Sequence, residues 1–349
     1  MKTGILLINL GSPEAPTASA VRPYLREFLS DPRVIDIPAP LRWLLLNAVI
    51  LPFRPAKSAE AYSKVWTPQG SPLLANSRAF AEKLAASLGD DYHVVLGMRY
   101  GNPSLKDAIA ELNREPLREL VIFPLYPQYA SASTGSSIEE ALRLLAPLQN
   151  VPTLRTVPAF YDDPGYIDAL ARNAAPRLEA FKPDYVLFSY HGIPERQIRK
   201  SESKSGHCLA VDDSCCASVG PHNAFCYRAH CFATTRAVVK RMGLAAGSYS
   251  TAFQSRLGRT PWIKPYTDMV LTDLARQGVK RLAVFSPSFV ADCLETLEEM
   301  TIRGEETFLE AGGEALELIP ALNDADSWVA AAANLIRQWE APRTPSATR

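Results

Sequence analysis

Short apolar runs, each closed by Gly, Pro or a polar cluster, alternate along the chain with stretches whose apolar positions recur at helical spacing. The runs at 5–13, 120–124, 186–194 and 282–287 have the length and β-rich composition of buried strands. The stretches at 77–88, 104–114, 266–277 and 326–339 carry the helical period. Strand and helix in this rhythm make βαβ units, and therefore parallel sheets flanked by helices. The chain also repeats itself weakly. Runs 5–13 and 186–194 both end in a turn with Gly and Pro, and runs 120–124 and 282–287 are both closed by Pro. The expectation is an α/β protein of two Rossmann-like domains, residues 1–150 and 151–325, with a terminal helix and tail at 326–349. Their seam falls at 149–158, where Pro152 and Pro158 stand without helical periodicity.

At 349 residues each half is long enough to bury its own core. Lys plus Arg and Asp plus Glu are both 37, so no basic field invites nucleic acid. The opening apolar run is broken by Gly11, Ser12 and Pro13, which makes it a strand and not an export signal. A cytoplasmic location follows, where the six cysteines stay reduced. Neither strand-to-helix turn reads Gly-x-Gly-x-x-Gly and no Walker sequence is present, which argues against NAD and ATP. The Ser and Gly cluster at 131–137 can cradle an anion or simply cap a helix. The apolar stretch 41–51, interrupted by Arg42 and stopped by Pro52, is too short to span a bilayer. With Trp43 and the flanking Arg42 and Arg54 it reads either as a lip resting on a membrane or admitting a greasy ligand, or as a half-buried core helix.

Two of the strands end in groups that can bind metal or take protons. The run at 186–192 closes on His191, and the run at 282–287 leads into Asp292, Cys293 and Glu295. In open parallel sheets ligands bind beyond the carboxyl ends of the strands, so His191 and Glu295 can face one cavity. A histidine after a strand is also a common hydrogen-bonded structural residue. Beyond Pro287 the segment 290–303 is rich in helix formers, and Asp292, Glu295 and Glu299 stand three and four apart on one helix face. Water can solvate such a stripe. At the mouth of a cleft it would instead attract a divalent cation or relay protons.

The motifs Ser-Tyr-His-Gly-Ile-Pro at 189–194, Phe-Gln-Ser-Arg-Leu-Gly-Arg-Thr-Pro-Trp at 253–262, Asp-Cys-Leu-Glu-Thr-Leu-Glu-Glu at 292–299 and Pro-Gln-Tyr-Ala-Ser-Ala-Ser-Thr-Gly-Ser at 127–136 resemble those of the ferrochelatases. Leu-Leu-Ile-Asn-Leu-Gly-Ser-Pro at 6–13 fits the same family, and the likeness runs in order over nearly the whole chain. The resemblance implies a chelatase fold and an enzyme that inserts ferrous iron into protoporphyrin IX, the last step of haem synthesis. It implies that His191 and Glu295 handle iron and accept the pyrrole protons; the acidic face continuing through Glu299 would then carry iron inward or protons outward. It further implies that Tyr62, Met98, Tyr126, Tyr129 and Trp262 wall the porphyrin pocket and that Ser71 and Arg99 anchor polar groups, although each could equally be core. A cobalt-inserting chelatase and a non-catalytic iron–sulfur or haem-binding protein are the competing readings.

Five of the six cysteines and three of the five histidines lie between His207 and Cys231, in a polar insertion at 204–231 with little periodicity. Bound metal would supply the order that such a segment lacks. Only Cys226 and Cys231 approach zinc-type spacing, so zinc is not favoured. Some bacterial ferrochelatases carry a similar insertion holding a 2Fe-2S cluster, and this segment resembles it. Four thiolates are needed from Cys208, Cys215, Cys216, Cys226 and Cys231. The favoured set is Cys208, Cys215, Cys226 and Cys231, or one using Cys216. Cys231 is the doubtful member, since relatives without the insertion often have a Cys there. Cys293 varies to His in the family and is read as lining of the active site.

Overall fold

The computed structural model describes residues 1–203, 206, 208–209, 214–258 and 260–338. Its strands are β1 (Lys2–Asn9), β2 (Tyr92–Met98), β3 (Leu117–Pro124), β4 (Thr153–Thr156), β5 (Tyr185–His191), β6 (Tyr249–Gln254), β7 (Arg281–Phe285) and β8 (Ala315–Leu318). They form two parallel four-stranded sheets, ordered β2-β1-β3-β4 and β6-β5-β7-β8. The weak repeat in the sequence is thus a repeat of topology, because β1 and β5 are equivalent, as are β3 and β7.

The central strands are buried along almost their whole length, as expected when helices cover both faces of a parallel sheet. Alternation then decides which core each residue joins. Ile5 and Leu7 of β1 point into a core shared with Phe188 of β5 and Phe285 of β7, whereas Leu6 and Ile8 face a separate outer core. Leu187 of β5 likewise faces its own outer core. The inner faces of the two sheets therefore share one apolar centre, filled by the helices Pro72–Leu88, Pro164–Phe181, Tyr227–Met242 and Asp326–Gln338. Trp328 is its hub, fully buried and stacked at 5.5 Å on both Phe80 and Phe160. Through it the last helix packs back onto Pro72–Leu88 in the first half.

Three local expectations change. The seam at 149–158 contains β4, which pairs with β3 from Glu119 opposite Thr153; a short, half-exposed edge strand leaves no apolar run to read. The single helix expected over 290–303 starts only at Leu294 and widens to a π-helical turn over Leu297–Gly304. Asp292 is the cause. Its carboxylate accepts from Ala321 N, Asn323 Nδ2 and Thr296 Oγ1, so it pins the preceding loop and does not join an acidic stripe. The third concerns 41–51. Helix Ala39–Leu44 runs through the π-turn Leu45–Ile50 into helix Leu51–Val65, with Leu46 buried but Trp43 66% and Phe53 76% exposed. One side of the segment is exposed, while Leu46 and Leu51 join a core with Val21 and Tyr62. Among the described residues no helix is long and apolar enough to cross a membrane.

Candidate active site

A cleft of about 1180 Å³, counting its open mouth, lies beyond the carboxyl ends of β1, β3, β5 and β7. Asn9 to Ser12 follow β1, Leu125 and Tyr126 follow β3, His191 to Pro194 close β5, and Ser288 to Ala291 follow β7. The backbone makes room for it. A Cβ on Gly11, at φ +104°, would strike the Tyr100 carbonyl oxygen at 1.7 Å, and one on Gly192 would meet the Gln254 oxygen at 2.8 Å.

His191 and Glu295 both line this cleft. The Gly192 carbonyl can only accept, so at 2.6 Å it takes the hydrogen bond of Nδ1–H and leaves Nε2 as the basic nitrogen of the neutral ring. The ring sits between Trp262 and Phe289, with centroids at 6.4 and 6.3 Å, and the His191 N–H donates to Ser288 Oγ at 3.1 Å. Glu295 stands in the first turn of its helix, where Cys293 and Thr296 complete a reciprocal cap. Gln254 ties the two walls together: its Oε1 accepts from Ser189 Oγ at 2.8 Å on β5, and its Nε2 donates to the Glu295 carbonyl at 2.8 Å.

Glu299 lies one turn further, outside the cleft lining and in an adjoining groove with Ser255, Asp268 and Arg303. Its carboxylate accepts from Ser255 N at 2.8 Å and from Ser255 Oγ at 2.5 Å. Burial nevertheless raises its pKa above the ordinary carboxylate value, against the Ser255 hydrogen bond and the attraction of His191, with the charge of Glu295 adding to the rise. Tyr24 and Tyr62, hydrogen-bonded to each other, are also held protonated, first by burial and then by neighbouring acids including Glu295. Burial likewise keeps Cys293 a thiol.

Of the residues expected at the pocket, Tyr62, Ser71, Tyr126, Trp262 and Cys293 line the cleft together with His191 and Glu295. Met98, Arg99 and Tyr129 do not. Met98 is a core residue at the end of β2, one strand to the side of the crevice. Arg99 is committed elsewhere, with Nη2 on Asp31 at 2.7 Å and Nε on Ser136 Oγ at 2.7 Å. Tyr129 packs on Phe225 at 5.2 Å and gives its N–H to His230 Nδ1, so it faces the cysteine segment. Residues without a sequence-derived role also emerge: Tyr24 and Tyr227 in the lining, Gln254 and Ser255 behind it, and Arg54, whose charge acts on Glu295 from the lip. Gln254 and Ser255 lay within a quoted motif and Arg54 flanked the apolar stretch 41–51; nothing local marked Tyr24 and Tyr227.

The cysteines at 208, 215, 216, 226 and 231 are all buried and unpaired by disulfides. Cys226 meets the thiols of Cys208 and Cys216, and Cys215 Sγ lies 3.8 Å from Cys216 Sγ. Cys231 instead meets the Tyr227 hydroxyl. Arg228 Nη1 approaches Cys216 Sγ at 3.3 Å. Among the described residues no three Cys, His, Asp or Glu side chains already converge as ligands of one metal ion. As a donor set, four adjoining soft thiols beside a guanidinium suit an anionic iron–sulfur centre, with Cys216 inside the group and Cys231 turned away. His207 and residues 204, 205 and 210–213 of the insertion lie outside the described residues.

A two-sheet fold with a histidine and a carboxylate across a strand-end cleft defines a chelatase-type enzyme. A solved structure, "SirB from Bacillus subtilis with Fe3+", shares this fold, with a TM-score of 0.52 at 12% identity over 97% of this chain and 95% of that one. The ferrochelatase family model matches residues 2–340. A Coxiella burnetii (strain Dugway 5J108-111) protein named ferrochelatase is 45% identical over 97% of this chain and 94% of its own length. Another of that name from Legionella pneumophila (strain Paris) is 47% identical over 97% and 99%. The chain belongs to the ferrochelatase family, enzymes that insert ferrous iron into protoporphyrin in haem synthesis.

The raised pKa of Glu299 fixes the sign of one pH effect. A carboxyl that holds its proton more tightly in the folded state contributes stability below its unfolded pKa, and loses that contribution as pH rises through the folded pKa. The Glu299→Gln protein should therefore gain stability relative to wild type as pH rises above the ordinary glutamate range. Denaturation midpoints of the two proteins across that rise measure this, and a pH-independent difference contradicts it.

Proposed function

We propose that His191 and Glu295 are the catalytic pair for iron insertion, and that the porphyrin lies in the cleft they share. Metallation exchanges two pyrrole protons for one ferrous ion. His191 Nε2, freed by the bond from Nδ1–H to the Gly192 carbonyl, offers one lone pair, which serves in turn as the neutral donor that ferrous iron favours and, once the iron has left it for the ring, as the base that takes a proton. Glu295 takes the second proton. Glu299, already disposed to hold a proton, passes it into the groove beside Ser255. The observation that carries this reading is the placement of His191 and Glu295 on different strand ends around one cleft walled by Tyr62, Tyr126 and Trp262. Ser71 supplies a polar anchor in the lining, and Arg54 supplies the positive charge that Arg99, bound to Asp31, does not.

The cysteine segment is read as a 2Fe-2S site held by Cys208, Cys215, Cys216 and Cys226, supported by their mutual contacts and burial. When bound, such a cluster supplies an electron-storing centre and braces a segment without a core of its own. Cysteines held outside disulfides suit a cytoplasmic enzyme. The exposed Trp43, Leu44 and Phe53 suit a lip that rests on the bilayer from which a hydrophobic porphyrin arrives.

Replacing His191 with Ala should cut iron insertion by roughly 10³-fold, within the span of general-base effects, while porphyrin affinity changes little. Anaerobic Soret titration separates the two quantities, and near-normal turnover would refute the assignment. Protein purified without oxygen should carry about two iron and about two sulfide per chain, both lost in Cys226→Ser. Iron and acid-labile sulfide analysis decides that question, with metal-free wild-type protein as the negative answer. Changing Trp43 and Phe53 together to Ser should weaken binding to phosphatidylglycerol vesicles at least about tenfold, since each ring is worth more than 1.4 kcal/mol when buried. Equal sedimentation of the two proteins with vesicles would remove the lip from membrane contact.

A further inference from the structure

The thiol group and the porphyrin cleft meet at three consecutive residues. Cys226 caps the helix Tyr227–Met242, and its thiol contacts those of Cys208 and Cys216. The next residue, Tyr227, is buried and lines the cleft, and its hydroxyl interacts with Cys231 and with Ser288. Ser288 in turn accepts the His191 N–H at 3.1 Å. Arg228 turns the other way. Its Nη1 lies 3.3 Å from Cys216 Sγ and its Nη2 donates to the Lys264 carbonyl at 3.1 Å, two residues beyond the cleft residue Trp262. A shift of the Cys226 backbone must therefore move Tyr227 and, through Ser288, the backbone that sets His191. The first turn of this helix cannot absorb it, because His230 is clamped between Tyr129 N and Ala224 O and stacked on Tyr161 at 3.8 Å.

From these contacts we infer that Tyr227 is a positioning residue for iron insertion, the one through which the cysteine segment and the porphyrin cleft influence each other. It sets the height of Ser288 beneath His191 and is itself set by Cys226. Coupling of this kind is reciprocal: an equilibrium rearrangement of the thiols changes porphyrin affinity, and bound porphyrin shifts that equilibrium by the same factor. The inference rests on the reading of the cleft as the porphyrin site, but does not require the thiols to hold a cluster.

A double-mutant cycle on full-length protein tests it, with Cys226→Ser, Tyr227→Phe and their combination, read as the dissociation constant for metal-free protoporphyrin. The expected result is a coupling of at least fivefold in that constant between the two substitutions, and near-additivity when Cys226→Ser is combined with Ser71→Ala in the first half of the cleft. Additive effects of Cys226→Ser and Tyr227→Phe overturn the inference. Failure of wild-type protein to bind protoporphyrin at all would instead overturn the reading of the cleft. Should Cys226→Ser not fold, the rate of thiol reaction with 5,5′-dithiobis(2-nitrobenzoate) serves in its place. Protoporphyrin should slow that reaction at least threefold in wild type and not in Tyr227→Phe. Equal slowing in the two proteins, or none in wild type, overturns the inference.

Discussion

The packing of Trp328 between Phe80 and Phe160 is the contact on which the geometry of the cleft depends. Each sheet buries one face in a private core and would be stable in that respect alone. Only the shared core fixes how their strand ends look at one another. Full burial of an indole removes about 150–250 Å² from water, worth about 4–6 kcal/mol before ordering entropy offsets it. The indole N–H has no hydrogen-bond partner among the described residues, at a cost of about 1–3 kcal/mol. Apolar burial outweighs that cost, so a rigid aromatic joint is preferred to a polar one. A polar joint would admit water between two bodies whose strand ends together line the cleft.

The second constraint is electrostatic. Carboxylates near a cleft repel one another and lose hydration, and the fold answers them differently by position. Asp292 is compensated by Ala321 N, Asn323 and Thr296, which converts a potential site residue into a pin for the loop. Glu298 is neutralised by Arg303 at 2.9 Å and Lys64 at 3.6 Å. Glu299 receives Ser255 and the charges of His191 and Arg303, but burial outweighs them and raises its proton affinity. As consecutive residues on a helical turn, Glu298 and Glu299 point to different sides and meet different neighbours.

How much of this the sequence discloses follows from what kind of signal each feature leaves. The central strands β1, β3, β5 and β7 are long apolar runs and were legible, together with the repeat that relates them. Edge strands such as β4 are half exposed and look like loops. His191 and Glu295 could be placed because parallel sheets bind ligands at strand ends and the motifs stand at those ends. Met98 and Arg99, taken as pocket residues from the family resemblance alone, stand at the end of β2, which lies beyond β1 and outside the cleft lining. Tyr24 and Tyr227 left no trace, since an aromatic residue on a helix has the same pattern whether it meets the core or a cavity.

The cysteine segment shows the limit of reading spacing without topology. Counting residues between thiols put Cys226 and Cys231 together, yet they sit at the cap and the second turn of one helix and point to different partners. Adjacent Cys215 and Cys216, which spacing alone treats as redundant, are both drawn inward by a short 3₁₀ turn, 3.8 Å apart. The thiols are therefore organised by the helix that follows them rather than by their own loop. That helix also carries Tyr227, which lines the cleft, so the thiols are attached to an element of the cleft wall.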